Sequence, residues 1–106
     1  MVTFPKRGEV YTVQLNPTVG REIRKARPCV IVSPDAMNGL LDTVIVAPLT
    51  TTIKRWPTRV TAVFEDKQGS IALDQIRAID KIRLRKLRGQ VNLLPSLAVL
   101  QAMFAP

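Results

Sequence analysis

The sequence predicts a small, mostly antiparallel β barrel with a C-terminal helix. Three observations carry that expectation. Apolar residues recur with the period of strands over most of the chain. The strand-like runs are short and separated by proline, glycine and charged segments, with none of the strand–helix alternation that a parallel sheet requires. A length of 106 residues, 46% of them hydrophobic, suits one domain with a core of its own.

Val10, Thr12 and Gln14 alternate with Tyr11, Val13 and Leu15, the period-two pattern of a strand. Cys29 to Val32 is a short, continuously apolar, β-branched run, expected to be buried on both faces and ended by Ser33-Pro34. Thr43 to Leu49 reads as another such strand. Arg59 to Phe64 alternates again, and Ser70 to Ile79 reads as a fifth strand. Between the first two strands, residues 16–28 form a long loop, and loops of such length in a compact domain are usually functional or disordered. It carries Arg21, Glu22, Arg24, Lys25 and Arg27. A second loop, Thr50 to Pro57, holds three threonines, Lys54, Arg55 and Trp56. Lys81 to Arg88 has five basic residues in eight and suits helix or strand equally. Pro95 to Phe104 predicts a helix, with proline in its first turn. Its residues are apolar almost all round, which requires cover on more than one side. A subunit interface is the economical source of that cover, with simple burial on the sheet as the alternative.

Sixteen Lys and Arg face eight Asp and Glu, a formal net charge of +8. A basic domain of this kind has a polyanion as its default partner. There is no histidine and one cysteine, Cys29, so no internal disulfide can form. Cys29 in its apolar run reads as a small buried hydrophobe. Without histidine, and with scattered carboxylates, no metal or other cofactor is expected. No basic-then-apolar leader is visible and no apolar run reaches the length of about 18 residues that spans a bilayer. The expectation is a cytoplasmic protein with no membrane partner.

Four segments then become specific: Arg7-Gly8-Glu9-Val10-Tyr11 running into Leu15-Asn16-Pro17 and Gly20; Arg27-Pro28 entering a strand that ends at Ser33-Pro34; Val46-Ala47-Pro48-Leu49-Thr50-Thr51; and Asp74-Gln75-Ile76-Arg77-Ala78-Ile79-Asp80 followed by Arg83-Leu84. In order and spacing, from near the N-terminus to about residue 90, they resemble the MazF/PemK family of toxin endoribonucleases. The resemblance implies one such domain over residues 1–106, an SH3-like barrel, a homodimer, single-stranded RNA as substrate, and a cognate antitoxin whose acidic tail occupies the RNA groove. It places Arg27 and Thr50 on the family's catalytic arginine and threonine. Asp74 falls on an aspartate that some PemK-type members use in catalysis, and Glu22 on an acidic residue of the first loop that affects activity in some members. Two positions depart from the pattern: Ile23 stands where the family usually has glutamine, and Ala72 where members that use the aspartate tend to have arginine.

The chemistry has its own logic. RNA cleaves itself when its 2′-hydroxyl attacks the adjacent phosphorus, with no metal and no outside nucleophile. An enzyme must align that attack, stabilise the charge gathering on phosphorus and manage two protons. The fork of Arg27 suits two phosphoryl oxygens, and arginine stays protonated, which makes it a poor base. Thr50 can donate a hydrogen bond to the same phosphate. Asp74 and Glu22 are the two candidates for the base, and either could instead orient Arg27; Asp74 could also pair with Arg77 or Arg59. For RNA binding the candidates are Arg21, Arg24, Lys25, Lys54, Gln75 and Arg77, with Trp56 either stacking on a base or covering the barrel's edge. Two rival readings share the charge and architecture: a non-catalytic nucleic-acid-binding barrel, and a gyrase-poisoning toxin. The latter acts through a terminal tryptophan segment, whereas this sequence ends Met103-Phe104-Ala105-Pro106.

Overall fold

The computed structural model describes residues 3–106. The strands are β1 (Glu9–Gln14), β2 (Ala26–Ile31), β3 (Thr43–Thr50), β4 (Arg59–Phe64), β5 (Lys67–Ala72), β6 (Arg77–Asp80) and β7 (Leu84–Gln90). Helix α1 (Asp35–Leu40) joins β2 to β3, and α2 (Leu94–Phe104) ends the chain. Short 3-10 turns at Leu73–Gln75 and Lys81–Arg83 lie between β5 and β6 and between β6 and β7.

Every pairing is antiparallel, in the order β4-β5-β3-β2-β1-β7 with β6 also on β3. Strand β3 is the hub. It lies against β2 through Cys29↔Pro48, Val30↔Ala47 and Ile31↔Val46. Its first half pairs with β6 from Thr43↔Asp80 to Val46↔Arg77. Its last residues, Leu49 and Thr50, pair with Ile71 and Ser70 of β5. One strand with two partners along a single edge bends the sheet, and the result is a curled half-barrel with the β4–β5 hairpin as a flap.

Strand alternation divides the interior into two clusters. Val10, Val30, Ala47, Leu49, Ile71 and Leu73 form one; Val13, Cys29, Ile31, Val44, Val46 and Ile79 form the other. Neighbours such as Val30 and Ile31 go to opposite sides, so the continuous apolar runs are strands covered on both faces, as expected. A fully buried valine or leucine is worth roughly 1.5–3 kcal/mol relative to exposure, which makes β1, β2 and β3 the stable frame of the molecule. Cys29 is fully buried, and burial pushes its thiol up to about 12, which fits a packing residue.

Two expectations need correction, and two segments that the sequence left open are settled. Ser70 to Ile79 is not one strand. The chain leaves β5 at Ala72, turns through Leu73–Gln75 and re-enters the sheet as β6. The apolar spacing runs on because Leu73 belongs to one cluster and Ile79 to the other. β2 begins at Ala26, ahead of its apolar run, so Arg27 lies inside the strand and the loop is shorter at that end. Helix α1, which has no apolar signature in the sequence, is tied down by a buried polar link: Asn38, fully buried, donates from Nδ2 to the Ser33 carbonyl at 3.0 Å. Lys81 to Arg88 resolves into the second 3-10 turn followed by most of β7.

The terminal helix forms where expected, with proline in its first turn. Leu97, Val99 and Leu100 pack on the first cluster. Leu94 and Phe104 each remain 71% exposed. Phe104 also lines a groove with Leu97, Leu100, Ile45 and Ile76.

Candidate active site

The β2–β3 register places the first pair of candidates. Continued two residues past Cys29↔Pro48, it sets Arg27 opposite Thr50 where the strands diverge, and both line one cavity with Pro28, Leu49 and Gln68. Arg27 is exposed. Its Nε donates to the Arg24 carbonyl at 3.2 Å, the one hydrogen bond of its guanidinium among the described residues. The Thr50 Oγ1 accepts from the Thr52 N–H at 3.1 Å, which leaves the hydroxyl proton for an outside acceptor.

The loop before Arg27 is fastened at its base. Leu15 N–H donates to the Lys25 carbonyl at 3.0 Å, and Lys25 N–H donates to Asn16 Oδ1 at 3.1 Å. Arg77 donates to the Leu15 carbonyl at 3.0 Å, and Arg83 donates to the carbonyls of Gln14 and Asn16 at 3.1 and 2.8 Å. Arg77 thus has a structural task in the free protein. Within the loop, Glu22 Oε1 accepts from the Val19 N–H at 2.5 Å and Arg24 donates to the Gly20 carbonyl at 3.2 Å. Arg21, Arg24 and Lys25 are all exposed, a cationic rim immediately before Arg27.

Glu22 and Asp74 meet in a second cavity with Ile23, Pro48, Gln75 and Arg77. Gln75 ties the loop to this wall by accepting from the Ile23 N–H at 3.3 Å. Ile23, the residue that departs from the family pattern, packs on the second core cluster, so its side chain anchors the loop. Thr50 follows Pro48 by two residues, and residues so spaced on a strand share a face. Thr50, on the first cavity, and Pro48, on the second, therefore lie on one face of β3.

Asp74 is held differently from Glu22. Arg59 grips both of its carboxylate oxygens, at 2.6 and 3.1 Å, and the Thr58 hydroxyl donates to it at 3.1 Å. Hydrogen bonding from Arg59, with a smaller contribution from Thr58, holds its carboxyl below the ordinary aspartate value in spite of partial burial. A carboxylate so stabilised accepts a proton poorly. Of the two partners that the sequence suggested, the structure selects Arg59. That side chain is 6% exposed and also lies 4.8 Å from the Trp56 ring, on which Lys54 approaches at 4.7 Å. Trp56 is 48% exposed.

Sequence reasoning did not anticipate Phe64, Glu65, Gln68, Ser70 and Arg88 as walls of the Arg27–Thr50 cavity. They come from the β4–β5 hairpin and β7, distant in sequence, and no motif marks them. Glu65 and Asp66, both with positive φ, turn this hairpin, and Arg88 pairs with Glu65. Among the described residues no group of three or more His, Cys, Asp or Glu gathers as a metal site, and no helix is long and apolar enough to cross a membrane.

The sequence profile of the PemK-like, MazF-like toxin of type II toxin–antitoxin systems matches residues 6–103. The chain belongs to this toxin family. Among relatives of the toxin, the endoribonuclease MazF of Staphylococcus epidermidis is 40% identical over 87 residues, covering 76% of this chain and 72% of that protein. The fold of the toxin is that of MazF from Deinococcus radiodurans, with a TM-score of 0.83 at 23% identity over 96% of this chain and 97% of that one. A mycobacterial endoribonuclease, solved in complex with its cognate antitoxin, superposes with a TM-score of 0.80 at 30% identity over 96% and 97% of the two chains.

Proposed function

We propose that this toxin is a cytoplasmic, metal-independent endoribonuclease that cuts single-stranded RNA through attack by the RNA's own 2′-hydroxyl. The observation that carries the reading is the meeting of Arg27 and Thr50 on one cavity at the end of the loop that bears Arg21, Arg24 and Lys25. The scissile phosphate lies against Arg27, whose fork stabilises the charge that develops on phosphorus; preorganised donors of this kind are worth about 3–4 kcal/mol. Thr50 donates to the same group. Glu22 takes the 2′-hydroxyl proton, since its carboxylate has one light tether and is not neutralised by an arginine. Asp74, gripped by Arg59, orients its wall of the second cavity instead. Products carry a 2′,3′-cyclic phosphate and a 5′-hydroxyl.

Arg21, Arg24 and Lys25 attract the backbone, and Lys54, Trp56, Gln75 and Arg77 contact the flanking nucleotides. The exposed apolar surface of α2 at Leu94, Met103 and Phe104 supports a homodimer with RNA across both subunits. A cognate antitoxin with an acidic segment would occupy the same cationic groove. Incubation of the protein with a long single-stranded RNA in excess chelator, with end-group analysis of the products, tests the reading. Intact RNA, or cleavage that appears only when magnesium is added, would overturn it.

A further inference from the structure

Thr50 is useful as a donor only if its hydroxyl is aimed, and it sits at a strand end, where aim is hardest to hold. The neighbouring strand supplies the constraint. Ser70 pairs with Thr50 across β3 and β5 and is buried. Its hydroxyl donates to the Thr52 carbonyl at 2.9 Å. Thr52 in turn donates its N–H to Thr50 Oγ1 at 3.1 Å. A side chain on β5 thereby fixes the turn whose amide fixes the catalytic hydroxyl. Accepting that N–H turns the Thr50 proton outward, and an oxygen that already accepts a hydrogen bond is a better donor.

The residue before Ser70 serves the same end by its size. A Cβ on Gly69 would fall 2.3 Å from the Thr50 carbonyl oxygen and 3.4 Å from the Thr51 Cα. Both neighbours are backbone, so a side chain here can be admitted only by moving the strand end that carries Thr50. Glycine is required at this point for close approach and not for an unusual backbone conformation.

We propose that Ser70 is a positioning residue for the RNA-cleaving step, acting through the Thr52 amide on the Thr50 hydroxyl, with Gly69 permitting the approach. The inference rests on Thr50 being a donor to the scissile phosphate. The experiment compares the full-length wild type, Ser70→Ala, Thr50→Val and the double variant. Single-turnover cleavage of a short RNA is measured at saturating protein, binding is measured on its uncleavable 2′-deoxy analogue, and thermal unfolding is followed in parallel. Ser70→Ala is expected to slow cleavage by roughly tenfold, the scale of one lost hydrogen bond, and to leave binding of the analogue nearly unchanged. In the Thr50→Val background the same change is expected to add no further loss, because the group it aims is gone. An equal loss in both backgrounds, or no loss in either, overturns the proposal. A wild-type rate for Thr50→Val alone shows instead that Thr50 is not a donor, and the proposal falls with that reading. If Ser70→Ala does not fold, Ser70→Cys, of similar shape with a weaker donor, is expected to give an intermediate rate; a wild-type rate for that variant overturns the proposal.

Discussion

The two sides of β3's exposed end hold their charged groups in opposite ways. On the loop side, among the described residues, the Arg27 guanidinium has a single hydrogen bond to a neighbouring carbonyl and the Glu22 carboxylate a single one from a backbone amide. On the turn side, Asp74 receives three hydrogen bonds, two of them from the nearly buried Arg59. A group whose bonding is completed inside the protein is scaffolding. A group left with open capacity at a cavity wall is available to a ligand. The contrast distinguishes the surroundings of two carboxylates that the sequence could not separate, and it supports the different roles proposed for them.

The strongest way to break that comparison is Glu22→Gln. If Glu22 handles the proton, single-turnover cleavage is expected to fall by about 10²–10⁴, the usual scale for a general base, with binding of the 2′-deoxy analogue retained. A wild-type rate would return the role to Asp74 or to solvent. Arg27→Ala follows, with an expected loss of about 10²–10³ in rate and a much smaller loss in binding. If affinity and rate fell equally, and the bound RNA still reacted at the wild-type rate, Arg27 would be a grip on the backbone.

Asp74→Asn sharpens the other side. Its rate is expected to stay near wild type, and its effect to appear in stability against pH. The Asp74 carboxyl is held below its ordinary value, so its stabilisation is fully present above the unfolded value of about 3.9 and is lost as pH falls through the lower folded value. Denaturant unfolding from pH 6 down to pH 2 is expected to show a shallower acid decline for Asp74→Asn than for wild type. Parallel acid limbs would mean that the Arg59 grip contributes nothing. The smallest effect is expected for Arg85→Ala on β7, whose side chain is exposed. It should weaken RNA binding slightly and leave the chemical step alone. The slope of log affinity against log salt is expected to become shallower by about 0.7 if one phosphate contact is lost; an unchanged slope would place Arg85 off the RNA path.

The legible parts of the fold are those with a local cause. β1 shows in the alternation of Val10 to Leu15, β3 in its unbroken apolar run, and α2 in Pro95 followed by nine helix-compatible residues to Phe104. The start of β2 at Ala26 is hidden because Ala26-Arg27-Pro28 lacks the apolar pattern and is drawn into the sheet by pairing with β1. The corner at Leu73–Gln75 is hidden because both core clusters demand apolar residues on either side of it.

The sequence by itself determined the mostly β architecture, the basic surface and the family, and marked Arg27 and Thr50 as candidates, because each depends on residue type and short-range spacing. Only the tertiary structure decided that Arg59 takes Asp74, that Gly69 and Ser70 stand behind Thr50, and that Arg77 and Arg83 fasten the loop. Those relations join residues 15 to 69 positions apart. A hydrogen bond depends on distance and angle at the atoms that make it, and a linear order of residues holds neither until the sheet has curled.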